Sequence, residues 1–460
     1  LLSIVLFILL LLTVLLLRPS LTAGSVLLGL GAFVLSLGEG GMWLVFLPTL
    51  AVLLLLNVAS WRREYLVAPV YRLLRKAMPP MSSTEREALE AGTTGWDKAL
   101  FSGQPDWQAF SVLQPPALTE SEQAFLDNEV ETLCGMISEW DVHQRQDLSP
   151  DVWAIPDVGV VCKGEFEGEE VIGLRLNFHK RWITLAPVAT VVGLAFKLED
   201  PEGLLGDPDK SDYGITCALL PANHPGVEIG RRHNPGAPFM NGPIMGEDVF
   251  IPVDWIIGGP AMAGKGWRML IECLGAGRGV SLPALSTASG AMCYLMVGAY
   301  ARIRRQFNME VGKFEGVQEA TAEIAAGAYT LEAMRELVTR SLEDGTPSVM
   351  TAMAKYHATE LMRTLVNHGM DVVGGRGIQL GPRNFLAAGY HALPVAITVE
   401  GANILTRSLM IFGQGAMRCH PYLFDEMQTL EAEEIHEGLR EFEPLLMGHL
   451  GHAGSNFARL

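Results

Sequence analysis

Two stretches in the last third of the chain hold residue types that can do chemistry. In Ile397-Thr-Val-Glu400-Gly-Ala-Asn-Ile-Leu-Thr-Arg407 a single acid interrupts an apolar run, and a glycine follows it. Burial raises a carboxyl from about 4.3 toward neutrality, which a general base working near pH 7 needs. A carboxylate set against the free N–H groups of a helix N-terminus is the alternative explanation of the same acid. The second stretch, Gly374-Gly-Arg-Gly377, directly follows a helical pattern. Its glycines would let backbone approach a ligand closely and offer N–H groups to a phosphate. A helix C-cap followed by a turn explains it equally well. His357, His368, His391 and His420 share no metal-ligand spacing, and the six cysteines include no C-x-x-C pair. No metal is therefore expected, and a reducing compartment is.

The elements that must carry these stretches follow from periodicity. Leu285, Ala288, Met292, Leu295 and Ala299 recur at three and four residues, the seam of a packed helix. Similar patterns run over 317–342 and 348–373, and another follows Ile397, so residues 263–421 read as an antiparallel helical bundle. Between 154 and 262 the period is two. Strands are expected at Val158–Cys162, Val171–Leu176, Val191–Leu198, Ile215–Leu220 and Val249–Ile257, in a β-domain of barrel or sandwich type. The fold class is mainly α with a central β-domain. Residues 61–153 read as a basic, membrane-proximal stretch and a remnant helical domain, with a capping box at Thr119-Glu-Ser-Glu122. Residues 422–460 read as the start of an extra helical region.

The first sixty residues are of another kind. Leu1–Leu17, Leu21–Leu37 and about Gly41–Ala59 are apolar runs, each close to the length that crosses a hydrocarbon core of about 30 Å. Arg62, Arg63, Arg72, Arg75 and Lys76 follow the third, so three membrane helices, or two with the middle run re-entrant, are expected, either way with the rest of the chain in the cytoplasm. The net charge of −17 argues against nucleic acid as a partner.

From Lys180 onward the chain resembles the acyl-CoA dehydrogenase family, and with its N-terminal runs it resembles the bacterial, membrane-associated branch acting in fatty acid β-oxidation. The resemblance rests on Lys180-Arg-Trp-Ile-Thr184, Gly264-Lys-Gly-Trp-Arg-Met269 with Gly277-Arg278-Gly279, Arg304-Arg-Gln-Phe307, Gly374-Gly-Arg-Gly377 and Val399-Glu-Gly401, all in family order. It implies FAD as cofactor, held by Trp182 and Thr184 against the isoalloxazine. Arg304, Phe307, Gly374, Gly375 and Gly377 would serve the FAD of a neighbouring subunit, which implies a homodimer or larger assembly. Arg278 and Gly401 would line the acyl-CoA pocket. Glu400 would take the α-proton of a medium- to long-chain acyl-CoA, giving a trans-2-enoyl-CoA. The developing enolate would be held by a flavin hydroxyl and the glutamate's own N–H. Electrons would pass to an electron-transfer flavoprotein or similar carrier, at the bacterial inner membrane.

The sequence also departs from the family. The T-x-P-x-x-G-S-D segment that would line flavin and thioester is not found, and residues resembling its two flanks meet at Trp153/Ala154. Val399 stands in place of the usual aromatic and Ala402 in place of a threonine; Asn403 is the candidate to supply the lost cofactor hydrogen bond. The alternative reading is therefore an inactive, membrane-inserted remnant unable to bind FAD because of an internal deletion.

Overall fold

The computed structural model describes residues 2–38, 40–78, 96–103, 105–108, 157–233, 240–343, 347–379, 381–432 and 434–460, with 86, 89, 93, 94 and 345 singly. The capping box at Thr119 and the junction at Trp153/Ala154 lie outside the described residues. The chain divides into two units. One comprises Leu1–Ser82, Trp96–Ser111 and Phe412–Leu460; the other comprises Ser83–Gly95 and Val112–Ile411.

The first unit opens with four helices, α1 (Leu2–Leu17), α2 (Leu21–Gly38), α3 (Trp43–Asn57) and α4 (Ala59–Ala77). Their leucines are largely exposed, Leu30 and Leu44 among them. Of the three apolar runs, α2 alone is an unbroken helix of the length and hydropathy that cross a membrane. Helix α1 has 16 residues, or about 24 Å at 1.5 Å per residue. Helix α3 meets α4 at a bend of 89°. Helix α4 is strongly amphipathic over its last turns, with Arg75 and Lys76 at its end.

The second unit is built on one six-stranded sheet: β1 (Val158–Phe166), β2 (Glu169–Thr184), β3 (Val191–Glu199), β4 (Asp212–Pro221), β5 (Val227–Ile229) and β6 (Asn241–Pro252). Their order is β4-β3-β1-β2-β6-β5, antiparallel except for the β1/β3 pair. The barrel or sandwich expected from period two is thus a single sheet among the described residues, accompanied only by a two-stranded ribbon. Leu174, Leu176, Val192, Leu194, Leu198 and Ile251 alternate inward and form its core. Strand β6 begins at Asn241 rather than Val249, because Gly242, Pro243 and Gly246 erase the β-branched signal over its first half. Strand β5 has three residues, too few for alternation to register.

The sheet passes into the bundle through Gly264. At φ +79° it occupies the left-handed region, and its N–H donates to Thr216 Oγ1 at 2.9 Å. A Cβ there would fall 2.2 Å from the Tyr213 carbonyl oxygen. Gly264→Ala adds strain of about 1–2 kcal/mol to an overpacking cost of about 1–3 kcal/mol. Its urea midpoint is expected to fall with the slope unchanged.

Five helices follow: α5 (Gly266–Ile303), α6 (Glu315–Ser341), α7 (Ser348–Val373), α8 (Ala387–Thr398) and α9 (Asn403–Cys419). Helix α5 packs on α6 and α7, and α7 on α8. The buried face of α7 repeats at three and four residues through Ala352, Lys355, Thr359, Met362, Val366 and Gly369. A hairpin, β7 (Arg305–Gln306) with β8 (Met309–Glu310), separates α5 from α6. Its two turn residues, Phe307 and Asn308, have φ of +49° and +63°, the pattern of a type I′ turn.

Past α9 the first unit is completed by α10 (Leu423–Leu430) and α11 (Ile435–Arg459). Helix α11 packs against α1, where a Cβ on Gly454 would meet Leu15 Cδ2 at 2.9 Å. Glu443 of α11 receives Arg62 Nε and Arg63 Nε of α4, each at 2.8 Å.

Candidate active site

Helix α8 ends at Thr398 and α9 starts at Asn403, so Glu400 lies on the short connection between them. Glu400 and Gly401 have φ of +53° and +90°. Left-handed backbone at a non-glycine residue is costly and persists where the surroundings over-determine it. Two cations do so here. Arg278 of α5, 6% exposed, donates from Nε to the Glu400 carbonyl at 2.6 Å. Lys355 of α7 donates from Nζ to the Gly401 carbonyl at 2.8 Å, and Thr406 Oγ1 donates to the same oxygen at 3.1 Å.

The carboxylate itself is left free. Glu400 Oε2 is buried and has no hydrogen-bond partner among the described residues. Burial raises the carboxyl above the ordinary glutamate value, while the charges of Arg278 and Lys355 oppose the rise. Both cations are themselves lowered by burial, Lys355 to about 8. A half-buried carboxylate with a raised pKa and an uncommitted oxygen can accept a proton from carbon.

The remaining candidates fall into separate groups. Trp182 lies in the register break of β2 between Lys180 and Ile183, is 67% exposed, and has its ring centroid 4.4 Å from that of His233. Such a break re-aims a side chain, here holding a large aromatic off the sheet beside exposed Thr184. Arg304 ends α5, and Phe307 at the hairpin tip is 89% exposed. Gly374, at φ +60°, caps α7, and neither it nor Gly375 has an atom within 4 Å of a would-be Cβ; Gly377 is buried against Met370. Cap and open glycine surface thus coexist at this turn.

Asn403 is tied into the protein through its side-chain amide. Its Oδ1 accepts from Lys355 Nζ at 2.6 Å, and its Nδ2 donates to Thr359 Oγ1 at 3.0 Å and Glu360 Oε1 at 2.7 Å. Both amide hydrogens are thus used inside the protein, and a cofactor contact by this side chain would fall to the second lone pair of Oδ1. Lys355, Thr359, Glu360 and Thr406 were not among the residues expected from sequence. The one available signal was a lysine in phase with the buried seam of α7.

Residues 264–411 match the model of the acyl-CoA dehydrogenase C-terminal domain, and residues 417–460 that of the bacterial-type acyl-CoA dehydrogenase C-terminal region. The chain is 57% identical over 106 residues to Protein HemX of Proteus mirabilis, which covers 23% of this chain and 61% of that one. It is 32% identical over 206 residues to the mitochondrial short/branched chain specific acyl-CoA dehydrogenase of Bos taurus, covering 44% and 45% respectively. The chain therefore spans about half the length of the curated relatives it matches. Among solved structures, a glutaryl-coenzyme A dehydrogenase–glutaryl-CoA complex superposes with a TM-score of 0.47 at 21% identity over 57% of this chain and 63% of that one.

Proposed function

We propose, from the acyl-CoA dehydrogenase C-terminal domains that residues 264–411 and 417–460 carry, that this chain is an FAD-dependent acyl-CoA dehydrogenase with Glu400 as its base. The observation that carries the reading is the unpartnered, buried Oε2 of Glu400 on a turn fixed through its backbone. An α-hydrogen beside a thioester is acidic enough to be removed only if the enolate is stabilised, and only if the base is not already satisfied. Glu400 meets the second condition. Arg278, whose guanidinium fixes the Glu400 carbonyl, would border the acyl thioester beside Gly401, where a Cβ would lie 3.1 Å from Thr406 Oγ1 and 3.6 Å from Arg278 Nη2.

The residues fit a flavin. Trp182 offers an uncovered aromatic face and Thr184 an exposed hydroxyl on the same strand, suited to an isoalloxazine ring. Bound FAD would supply the hydride acceptor for the β-hydrogen. This chain's own part is to hold the acyl-CoA, exclude water and take the α-proton at Glu400 Oε2, leaving a trans-2-enoyl-CoA. We further propose medium- to long-chain substrates and an electron-transfer flavoprotein or similar acceptor. The apolar α1–α3 and the basic end of α4 favour attachment to the bacterial inner membrane, with the rest of the chain facing the cytoplasm.

Phe307 supports a homodimer or larger assembly. A phenylalanine held in left-handed backbone at a hairpin tip, 89% exposed, meets its own unit only edge-on at Phe314. Together with Arg304 and the Gly374–Gly377 turn it would reach a neighbouring copy's FAD. Phe307→Asp is expected to leave the stability of the flavin-free, separated chain within about 0.5 kcal/mol of the parent, while flavin content and sedimentation coefficient both fall.

The direct test is anaerobic titration of the FAD-loaded chain, in mild detergent, with palmitoyl-CoA. Bleaching of the flavin band supports the reading. A chain that binds FAD yet stays oxidised overturns it, and a chain that retains none is the inactive remnant.

A further inference from the structure

The seam of α7 is small or apolar at Ala352, Met362 and Val366, yet Lys355 stands in it with 0% exposure. An ammonium is almost never fully buried unless it is paired. Here it bridges the Gly401 carbonyl and Asn403 Oδ1, and Asn403 is seated in turn by Thr359 and Glu360. Arg278 holds the preceding carbonyl, that of Glu400, from α5. Consecutive carbonyls of two left-handed residues are thus each gripped by a buried cation from a different helix.

We propose that Lys355 is a positioning residue for the base: its grip on the Gly401 carbonyl locks the Glu400–Gly401 turn and aims the carboxylate. The inference rests on Glu400 being the base. A glutamate at positive φ relaxes toward ordinary backbone when one of its two buried cations is removed and Thr406 alone is left on the Gly401 carbonyl, which costs about 1–2 kcal/mol to resist. The carboxyl would then wander from its attack position, and a misplacement of about 1 Å costs on the order of 10²-fold in rate. Three charged groups face Lys355: Arg278 from α5, Glu400 from the turn and Glu360 from α7 itself. Lys355 also holds the Glu400 carboxyl down against burial, so its loss moves the acid limb of the rate to higher pH.

The test uses the full chain with Lys355→Met, and Thr359→Val as a milder change that only loosens the seat of Asn403. Amide exchange is followed in the peptide spanning 397–406, with and without FAD. Flavin reduction by palmitoyl-CoA is followed against pH. For Lys355→Met, exchange in that peptide rises about tenfold while the sheet is unchanged. The limiting reduction rate falls about 10–100-fold with little change in half-saturation, and its acid limb moves up. Thr359→Val gives smaller changes of the same sign. Unchanged exchange in 397–406, or an unchanged rate and acid limb, overturns the proposal. A rate that falls only in proportion to folded protein also overturns it. If the parent's flavin is not reduced at all, the dehydrogenase reading fails, while the exchange experiment still decides whether Lys355 clamps the turn.

Discussion

Glu400→Gln is expected to keep its flavin yellow in the presence of acyl-CoA, with the rate of reduction lower by about 10²–10⁴-fold, the range a positioned base contributes. Glutamine matches glutamate in size and leaves untouched the two carbonyl contacts that hold the turn, since both are made to backbone. Fold and cofactor content should therefore survive. The variant should melt no lower than the parent, and the reason fixes a sign. Burial raises the folded-state pKa of Glu400 above its unfolded value. The protonated form is thus the one the fold prefers, and the associated stability is full below the unfolded pKa and lost as pH rises through the folded one. At neutral pH the parent bears the cost of a half-buried carboxylate that the amide does not. A loss of rate with undiminished melting temperature isolates chemistry from structure; a loss of both would remove Glu400 from the role of base.

Glu443→Gln should open the first unit at the joint between α11 and α4. Glu443 accepts from Arg62 and Arg63, both within 2.8 Å, and its side chain is 7% exposed. Hydrogen bonds to a charged group contribute about 1.5–3 kcal/mol each, but the Arg63 arm is 50% exposed and its share is discounted for solvent screening. A loss of about 2–3 kcal/mol is expected, read as earlier proteolysis between residues 420 and 460. The pH dependence follows from the lowered pKa of Glu443, which arises because the two arginines outweigh burial. The bridge contributes fully above the unfolded carboxyl value of about 4.3 and is lost as pH falls through the lower folded value. Protease resistance of this segment should therefore hold down to about pH 4.3 in the parent, drop below it, and be insensitive to the same step in the variant.

Long periodic elements were legible from the sequence. The pattern over 348–373 coincides with α7, and the seam from Leu285 to Ala299 lies within α5. Strands with unbroken apolar alternation, such as Val191–Leu198, were also found in place. What periodicity cannot carry is backbone irregularity. The bulge that exposes Trp182 depends on the register of β2 against β6, which no local pattern records. Glu400 stood out because an acid breaks an apolar run. Its strained φ did not, because that conformation is imposed by Arg278 and Lys355 across separations of 122 and 46 residues to the carbonyls they hold. The partners of Asn403 were hidden for the same reason: Lys355, Thr359 and Glu360 lie a helix away.

The way the turn is held has an evolutionary consequence. The hydrogen bonds by which Arg278 and Lys355 hold the turn go to the backbone carbonyls of residues 400 and 401, which every residue possesses, so the grip itself does not depend on the side chain presented at position 400, even though both charges act on its carboxyl. The socket and its tool are separable. A lineage could exchange the acid for a shorter one, or for a neutral group, and inherit an intact platform on which new proton chemistry can be selected without refolding the bundle.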